Sequence, residues 1–372
     1  MVSKALVVGA YHKKLEEIAA HPDVDLVAVV PTSWREGAFE RRLERTTASG
    51  FQLVVSPIAA NGNFHLFFFP QLGKILDEHR PDIVHVDEEP YNFATFMAVR
   101  QSRARRIPSI FFTWQNLNRR YPLPFAMMER CIYRTAACGI AGTNAAARVM
   151  RAKGYTGPLS VIPQFGVDPA RFQPSSDGSA RRADGGPFTI GFAGRLVPEK
   201  GVELLVDACA RLSVDFRLVI IGEGPSFGSI QERMRTRGVE SKVEFRGSVR
   251  STDMPEHLVQ LDALVLPSLT RPNWAEQFGR ILVEAMACGV PVIGSTCGEI
   301  ADVIGDGGLV VPEGDTTAIV TALERLLGDS ILRADLAQRG RQRVLDQFTH
   351  ERIAGETVAL YRRWARRAIV PA

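Results

Sequence analysis

The chain has 372 residues, 45% of them hydrophobic and 23% charged, a make-up that excludes disordered and fibrous proteins. Its length exceeds one ordinary core and predicts two domains of about 150–200 residues each. A net charge of +4 suits small anionic ligands and falls far short of a nucleic-acid-binding profile, so no nucleic-acid partner is expected.

In chain order, KALVVGA, VDLVAVV, FQLVVSP, PDIVHVD, IPSIFFTW and ACGIAGT read as strands, with helical periodicities between them. The opening KALVVGA reads as a strand and not as a secretion signal. FHLFFFPQL, Phe64 to Leu72, is either a buried aromatic segment or a membrane-surface contact, and no apolar run approaches the ~20 residues that span a bilayer. After a Ser-, Gly-, Asp- and Arg-rich stretch, Gln173 to Pro187, the alternation resumes with FTIGFAGR, FRLVIIGEG, KVEFRGSV, DALVLPS and VPVIGS. Strand–helix alternation predicts α/β domains with parallel sheets, here two Rossmann-like domains facing across a cleft. The predicted boundaries are 1–172, a linker at 173–187 and 188–349, with a C-terminal helix over about 350–372 packing back on the first domain. The five cysteines form no C-x-x-C pair and read as reduced core residues of a cytoplasmic protein.

Two carboxylates draw attention in AEQFGRILVEAMACG: Glu276 and Glu284, with seven residues between them. A helix is predicted from Phe278 or Gly279, with Ile281, Leu282, Ala285 and Cys288 on its buried face and Gly289 and Pro291 ending it. Eight residues at ~1.5 Å each separate the two carboxylates by ~12 Å. They do not share one atom but suit the two ends of a long ligand, with the helix N-terminus between them as a diphosphate seat. The alternative is a charged helix start and a paired helix-face residue. In GFAGRLVPEKG, Arg195 and Lys200 flank a strand-to-helix turn and also suit a diphosphate. GEGPSFG resembles a dinucleotide fingerprint but runs G-x-G-x-x-x-G, one residue off, which keeps an oxidoreductase as an alternative. Asp23 and Asp25 of DVD read as a turn before a strand and not as metal ligands.

GRLVPEKG, VIIGEGP, VEFRGSV and EQFGRILVEAMACGVPVIGS, in this order, resemble the donor half of a GT-B glycosyltransferase of the large retaining family 4, or group 1. VIPQFGVDPARF resembles the family's segment before the linker. The resemblance covers the second domain thoroughly and the first more loosely. It implies that Glu276 approaches the donor sugar, that Glu284 binds ribose, and that Arg195 and Lys200 hold the diphosphate. It further implies sugar and phosphate contacts from Gln277, Phe278 and Gly279. Gly194 keeps the backbone close, and Gly222, Glu223 and Val249 lie by the nucleobase. The implied reaction is hexosyl transfer from a UDP-sugar, less readily a GDP-sugar, to a glycan or lipid-linked acceptor in polysaccharide or envelope assembly. Neither a metal nor another cofactor is expected. A non-catalytic nucleotide-sugar-binding protein is the remaining alternative.

The sequence departs from the family on the acceptor side. Many relatives place a histidine after the strand matching IPSIFFTW, where this chain has Trp114, Gln115 and Asn116. It also has GAYHKK in place of a glycine-rich first loop. Tyr11, His12, His85, Glu88, Trp114, Gln115 and Asn116 are therefore the acceptor-side expectations. NRRYPLPFAMMERCIYR mixes four arginines with aromatic and apolar residues and predicts peripheral contact with the anionic inner face of a membrane.

Overall fold

The computed structural model describes residues 1–37, 39–44, 49–175 and 186–365. The chain divides into two compact units, Met1–Gly166 with the segment from His350 onward, and Val167–Thr349. The boundary falls at Gly166, before the predicted 172. Val167–Phe172 belongs with the second unit, where Val167 N donates to Phe348 O and the Arg341 guanidinium donates to Phe172 O. Most of the predicted linker, residues 176–185, lies outside the described residues.

Unit 1 contains α1 (His12–Ala19), β1 (Val27–Pro31), β2 (Ser33–Glu36), β3 (Phe39–Arg42), β4 (Gln52–Ser56), α2 (Leu72–His79), β5 (Val84–Val86) and α3 (Phe93–Ala104). It continues with β6 (Ser109–Thr113), α4 (Phe125–Thr135), β7 (Cys138–Ala141), α5 (Asn144–Ala152) and β8 (Leu159–Val161). β1 pairs with β4, and β5, β6, β7 and β8 follow one another, all in parallel. Val2 bridges both Val29 and Val86, so the first residues of the chain stand between these two groups of strands.

The predicted strand KALVVGA is a correction. Only Val2 bridges, and Ala5–Val7 and Gly9–Tyr11 are single 3₁₀ turns. The chain turns because Glu88 accepts both from the Lys4 backbone N–H, at 2.8 Å, and from the Lys4 ammonium. Leu6 and Val7 are buried from within the turn, so an apolar run here marks core without marking a strand. The β2–β3 hairpin went unpredicted because its residues are charged and mostly exposed. FHLFFFPQL is divided: Phe67 and Phe69 are buried, Phe64 and Leu66 exposed, and its last residue opens α2. Cys131 on α4 is exposed, contrary to the core expectation, while the other four cysteines are buried.

Unit 2 contains β9 (Phe188–Ala193), α6 (Val202–Cys209), β10 (Phe216–Ile221), α7 (Phe227–Arg237), β11 (Val243–Phe245), α8 (Met254–Leu258) and β12 (Ala263–Leu266). It ends with α9 (Arg280–Ala287), β13 (Val292–Ser295), α10 (Ile300–Ile304), β14 (Gly308–Val311), α11 (Thr316–Gly328) and α12 (Ser330–Gln347). Its six parallel strands run β11-β10-β9-β12-β13-β14. The order reverses between β9 and β12. At such a reversal the loops leaving neighbouring strands diverge and open a crevice beyond the carboxyl ends.

The chain then returns to unit 1 as α13 (His350–Trp364). Ile353, Ala354, Val358 and Tyr361 fall at helical spacing on one face and join Leu15, Ile18, Val30 and Ile140 in one core cluster. Fully burying such a side chain stabilises by about 1.5–3 kcal/mol, so this helix is an integral part of unit 1.

Candidate functional site

In unit 2 the crevice at the strand reversal is built by the loops after β9 and β12. A 3₁₀ turn, Pro198–Lys200, ends at Gly201, whose φ of +66° and close approach to Pro267 O leave no room for a Cβ. Leu269 N donates to Glu199 O at 2.7 Å and ties the two loops together. This delivers the Lys200 ammonium to 2.5 Å from Glu276 Oε2, which also accepts from Ser268 Oγ at 3.0 Å. The backbone of Glu276 is clamped by the loop after β13. Glu299 N donates to Glu276 O, and a Cβ on Gly298 would sit 2.0 Å from that same oxygen. The Trp274 ring lies 5.3 Å from the Lys200 ammonium. Arg195 is exposed at the mouth of the loop.

α9 begins at Gly279, in the left-handed conformation with φ +75°. Glu276 therefore precedes the helix and Glu284 lies in its second turn, as the spacing predicted. Glu284 is buried and pairs with Arg280 Nε at 2.7 Å. Burial pushes its carboxyl above the usual range, and Arg280 pulls the other way. Phe278 turns its ring inward against Phe348, Gln277 is exposed and Gly279 is buried. Beside the β10 loop, Gly222 N donates to Gly247 O at 2.7 Å, and the Glu223 carboxylate accepts from Ser248 N at 3.2 Å. Val249 is half-buried next to Ser248, and Gly194 N donates to Ile221 O.

In unit 1 the polar groups after β5 and β6 are spent largely on one another. The Glu88 carboxylate holds Lys4, and burial raises its pKa against that attraction. Glu89 accepts from Thr113 Oγ1 at 2.6 Å and from Trp114 N at 2.8 Å. Burial raises its carboxyl to about 7, against those two hydrogen bonds. Lys14 donates to Gln164 Oε1 and lies 4.0 Å from Asp87; burial lowers its pKa. His85 is buried with Nδ1 2.8 Å from Tyr361 Oη, and burial first, then the nearby Lys14, hold its pKa well below the usual histidine range. His12 is buried with Nε2 2.8 Å from Leu6 O, where it braces the 3₁₀ turn. Trp114 stacks on Phe165 at 5.2 Å, and Tyr11 packs on that same ring at 5.8 Å. Gln115 is buried and donates to Tyr121 Oη; Asn116 is half-buried.

Two family models match this chain, Glycosyltransferase Family 4 over residues 17–171 and Glycosyl transferases group 1 over residues 178–343. The chain belongs to the family 4 (group 1) glycosyltransferases. Among relatives, the N-acetyl-alpha-D-glucosaminyl L-malate synthase of Bacillus anthracis is 36% identical over 44% of this chain and 42% of that protein. A GDP-mannose-dependent phosphatidylinositol monomannoside mannosyltransferase of Mycolicibacterium smegmatis is 33% identical over 54% of this chain and 55% of its own. The chain spans about half the length of these curated relatives. The structure of Anabaena HepE in complex with UDP superposes with a TM-score of 0.73 at 20% identity, over 95% of this chain and 96% of that one. A Rickettsia africae glycosyltransferase gives 0.76 at 15% identity, over 99% and 98%. These likenesses establish the GT-B fold.

In this family 4 chain the structure gathers Lys200 and Glu276 at one point and places Arg195 on the same loop as Lys200. Glu284 stands further along α9, and Gly222, Glu223 and Val249 cluster beside the β10 loop. Of the acceptor-side residues, Tyr11 and Trp114 share one aromatic stack, and Glu88 and Gln115 sit in the loops after β5 and β6. His12 and His85 instead point into the unit's interior. Sequence reasoning assigned no role to Ser268, Trp274 or Arg280. Ser268 had a signal, as the last residue of DALVLPS at the carboxyl end of a strand; the other two had none beyond closeness to the glutamates. Among the described residues no group of three or more His, Cys, Asp or Glu side chains is placed to hold a metal ion.

Proposed function

We propose that this chain is a retaining glycosyltransferase that moves a hexose-type sugar from a nucleoside-diphosphate sugar to a hydroxyl of a glycan or lipid-linked acceptor, without a metal. The observation that carries the reading is the Lys200–Glu276–Ser268 cluster at the strand reversal of unit 2. Cleaving the bond between the sugar and the diphosphate leaves positive charge at C1 and negative charge on the departing phosphate. Lys200, Arg195 and the N-terminal end of α9 stabilise that phosphate charge, as preorganised electrostatics do best. Glu276 binds sugar hydroxyls, and Ser268 fixes its carboxylate. Glu284, beyond the helix start, takes the ribose. The acceptor hydroxyl attacks C1 on the face the leaving group departs from, and its proton passes to the leaving phosphate.

UDP is the first donor to test, because HepE is described with UDP; GDP is the second, because the Mycolicibacterium relative is named for GDP-mannose. A thermal-shift panel with UDP, GDP, ADP and NAD in EDTA decides. Ligand at ~100 times its dissociation constant adds ~2.7 kcal/mol, a rise of a few degrees. A rise with UDP or GDP alone supports the reading, and a rise with NAD alone overturns it.

The same reading includes attachment to an anionic membrane face by unit 1. Leu123 and Met127 are 70% and 60% exposed, and Arg119, Arg120, Arg130 and Arg134 are exposed around them. No helix among the described residues is long and apolar enough to cross a membrane. Flotation with phosphatidylserine liposomes is expected to carry the protein at low salt and release it at high salt. Failure to float at low salt sinks the attachment.

A further inference from the structure

Arg280 stands where helix energetics disfavour it. It is the first residue of α9, and no acidic residue shares that first turn. The N-terminal end of a helix is positive, so a cation there is repelled. Its partner Glu284 follows four residues later, and cation before anion is the weaker order for a helical ion pair. The stability of α9 therefore gives no reason for an arginine at this position.

The pair itself supplies one. Arg280 Nε meets Glu284 Oε1 at 2.7 Å. The Arg280 side chain is 33% exposed and that of Glu284 only 7%. The guanidinium thus reaches in from the surface to a carboxylate enclosed by the protein. Burial favours the protonated form of such a carboxyl, and an opposite charge in contact favours the ionised one. At Glu284 burial is the largest influence and raises the pKa, while Arg280 lowers it through its charge and its hydrogen bond. The exposed Arg171 lowers it through charge alone. Among the described residues these two arginines are the charges that act on Glu284.

An ionised carboxylate is a pure acceptor and can take both hydroxyls of a ribose, whereas a protonated one gives an oxygen to its own proton. Hydrogen bonds to a charged acceptor are also about twice as strong as neutral ones. How firmly Glu284 grips a ribose therefore depends on its charge, and the contact that protects that charge is Arg280.

We infer that Arg280 is a positioning residue, which holds Glu284 as an oriented, ionised acceptor and thereby sets a preference for ribose over 2′-deoxyribose in the bound nucleotide. The ribose preference rests on the proposed donor reading; the hold on the Glu284 charge rests on the ion pair alone.

The test is calorimetry on the full chain with UDP against 2′-deoxy-UDP, and GDP against 2′-deoxy-GDP, from pH 6 to 9. Both members of each couple carry the same diphosphate, so their affinity ratio cancels any contact between Arg280 and phosphate. Wild type is expected to prefer the ribonucleotide about 10- to 100-fold, with little change over this range. Arg280→Gln is expected to lose about tenfold of that preference at pH 6 and to recover it toward pH 9, as Glu284 ionises. Arg280→Lys, which keeps the cation, should stay within about threefold of wild type. A purely structural role would weaken both nucleotides alike and leave the ratio flat with pH. Carbon-13 NMR of the glutamate carboxyls in the nucleotide-free protein, with the Glu284 signal assigned by its loss in Glu284→Gln, needs no donor and reads only folded protein. There Arg280→Gln should raise the Glu284 titration midpoint by about one pH unit or more. An unchanged midpoint, or a wild-type ratio at every pH in Arg280→Gln, overturns the inference. A raised midpoint without binding of either ribonucleotide keeps the hold on the Glu284 charge and sinks the donor reading, and the ribose preference with it.

Discussion

The two units set out their charged groups in opposite ways. In unit 2 the half-buried Lys200 pairs with the buried Glu276, whose carboxylate also accepts from Ser268 Oγ. In unit 1 the corresponding edge is a closed network, where Glu88, Glu89, Lys14 and His85 are buried and bonded to residues of their own unit. On the proposed donor reading the ion pair at the crevice can exchange partners, because incoming phosphate replaces the carboxylate at Lys200 while Ser268 and the sugar hydroxyls keep Glu276 partnered. A buried network cannot, because each group that loses its partner carries its whole desolvation penalty. On that reading unit 2 trades charge contacts with its donor, while the unit 1 network holds the shape of its loops.

The sharpest way to break this contrast is to remove the two glutamates of unit 2 one at a time. Glu276→Ala is expected to lower transfer about a thousandfold, the scale of losing one preorganised contact. Nucleoside-diphosphate binding by calorimetry should stay equal or tighten, because Lys200 is then released toward phosphate. Glu284→Ala should instead weaken nucleotide binding about ten- to a hundredfold, as expected for losing hydrogen bonds to a charged group. Equal nucleotide affinity in both variants would show that the two carboxylates do not divide the donor between them.

A smaller effect tests unit 1. Glu89 has its pKa raised by burial from 4.5 to about 7. A carboxyl raised on folding favours the native state below pH 4.5, and that contribution is lost as pH climbs to 7. The stake is roughly 3 kcal/mol across the window. Urea denaturation of wild type should show unit 1 losing stability from pH 4.5 to 7, and Glu89→Gln should flatten that slope. An unchanged slope would mean that Glu89 stays ionised in the fold.

Legibility in the sequence follows the same divide. Each strand of unit 2 except β14 corresponds to a quoted apolar run, and the glutamates were readable because a short loop and one helix fix both. Unit 1 depends on partners far apart in sequence: Lys4 with Glu88, Lys14 with Gln164, His85 with Tyr361. No local pattern announces such pairs. That is why His12 and His85 looked like acceptor groups and prove to be interior. KALVVGA failed for a related reason, since its turn is dictated by a carboxylate more than eighty residues away.

The return of α13 to unit 1 also sets an order of assembly. A ribosome releases residues 167–349 in full before it releases His350. Unit 2, second along the chain, is therefore the first to have all its parts. Unit 1, although begun earlier, waits with its Leu15–Ile18–Ile140 surface uncovered until Ile353, Val358 and Tyr361 emerge to close it. During synthesis the half that turns its charges inward is the half left open longest, and it is where a chaperone would find something to hold.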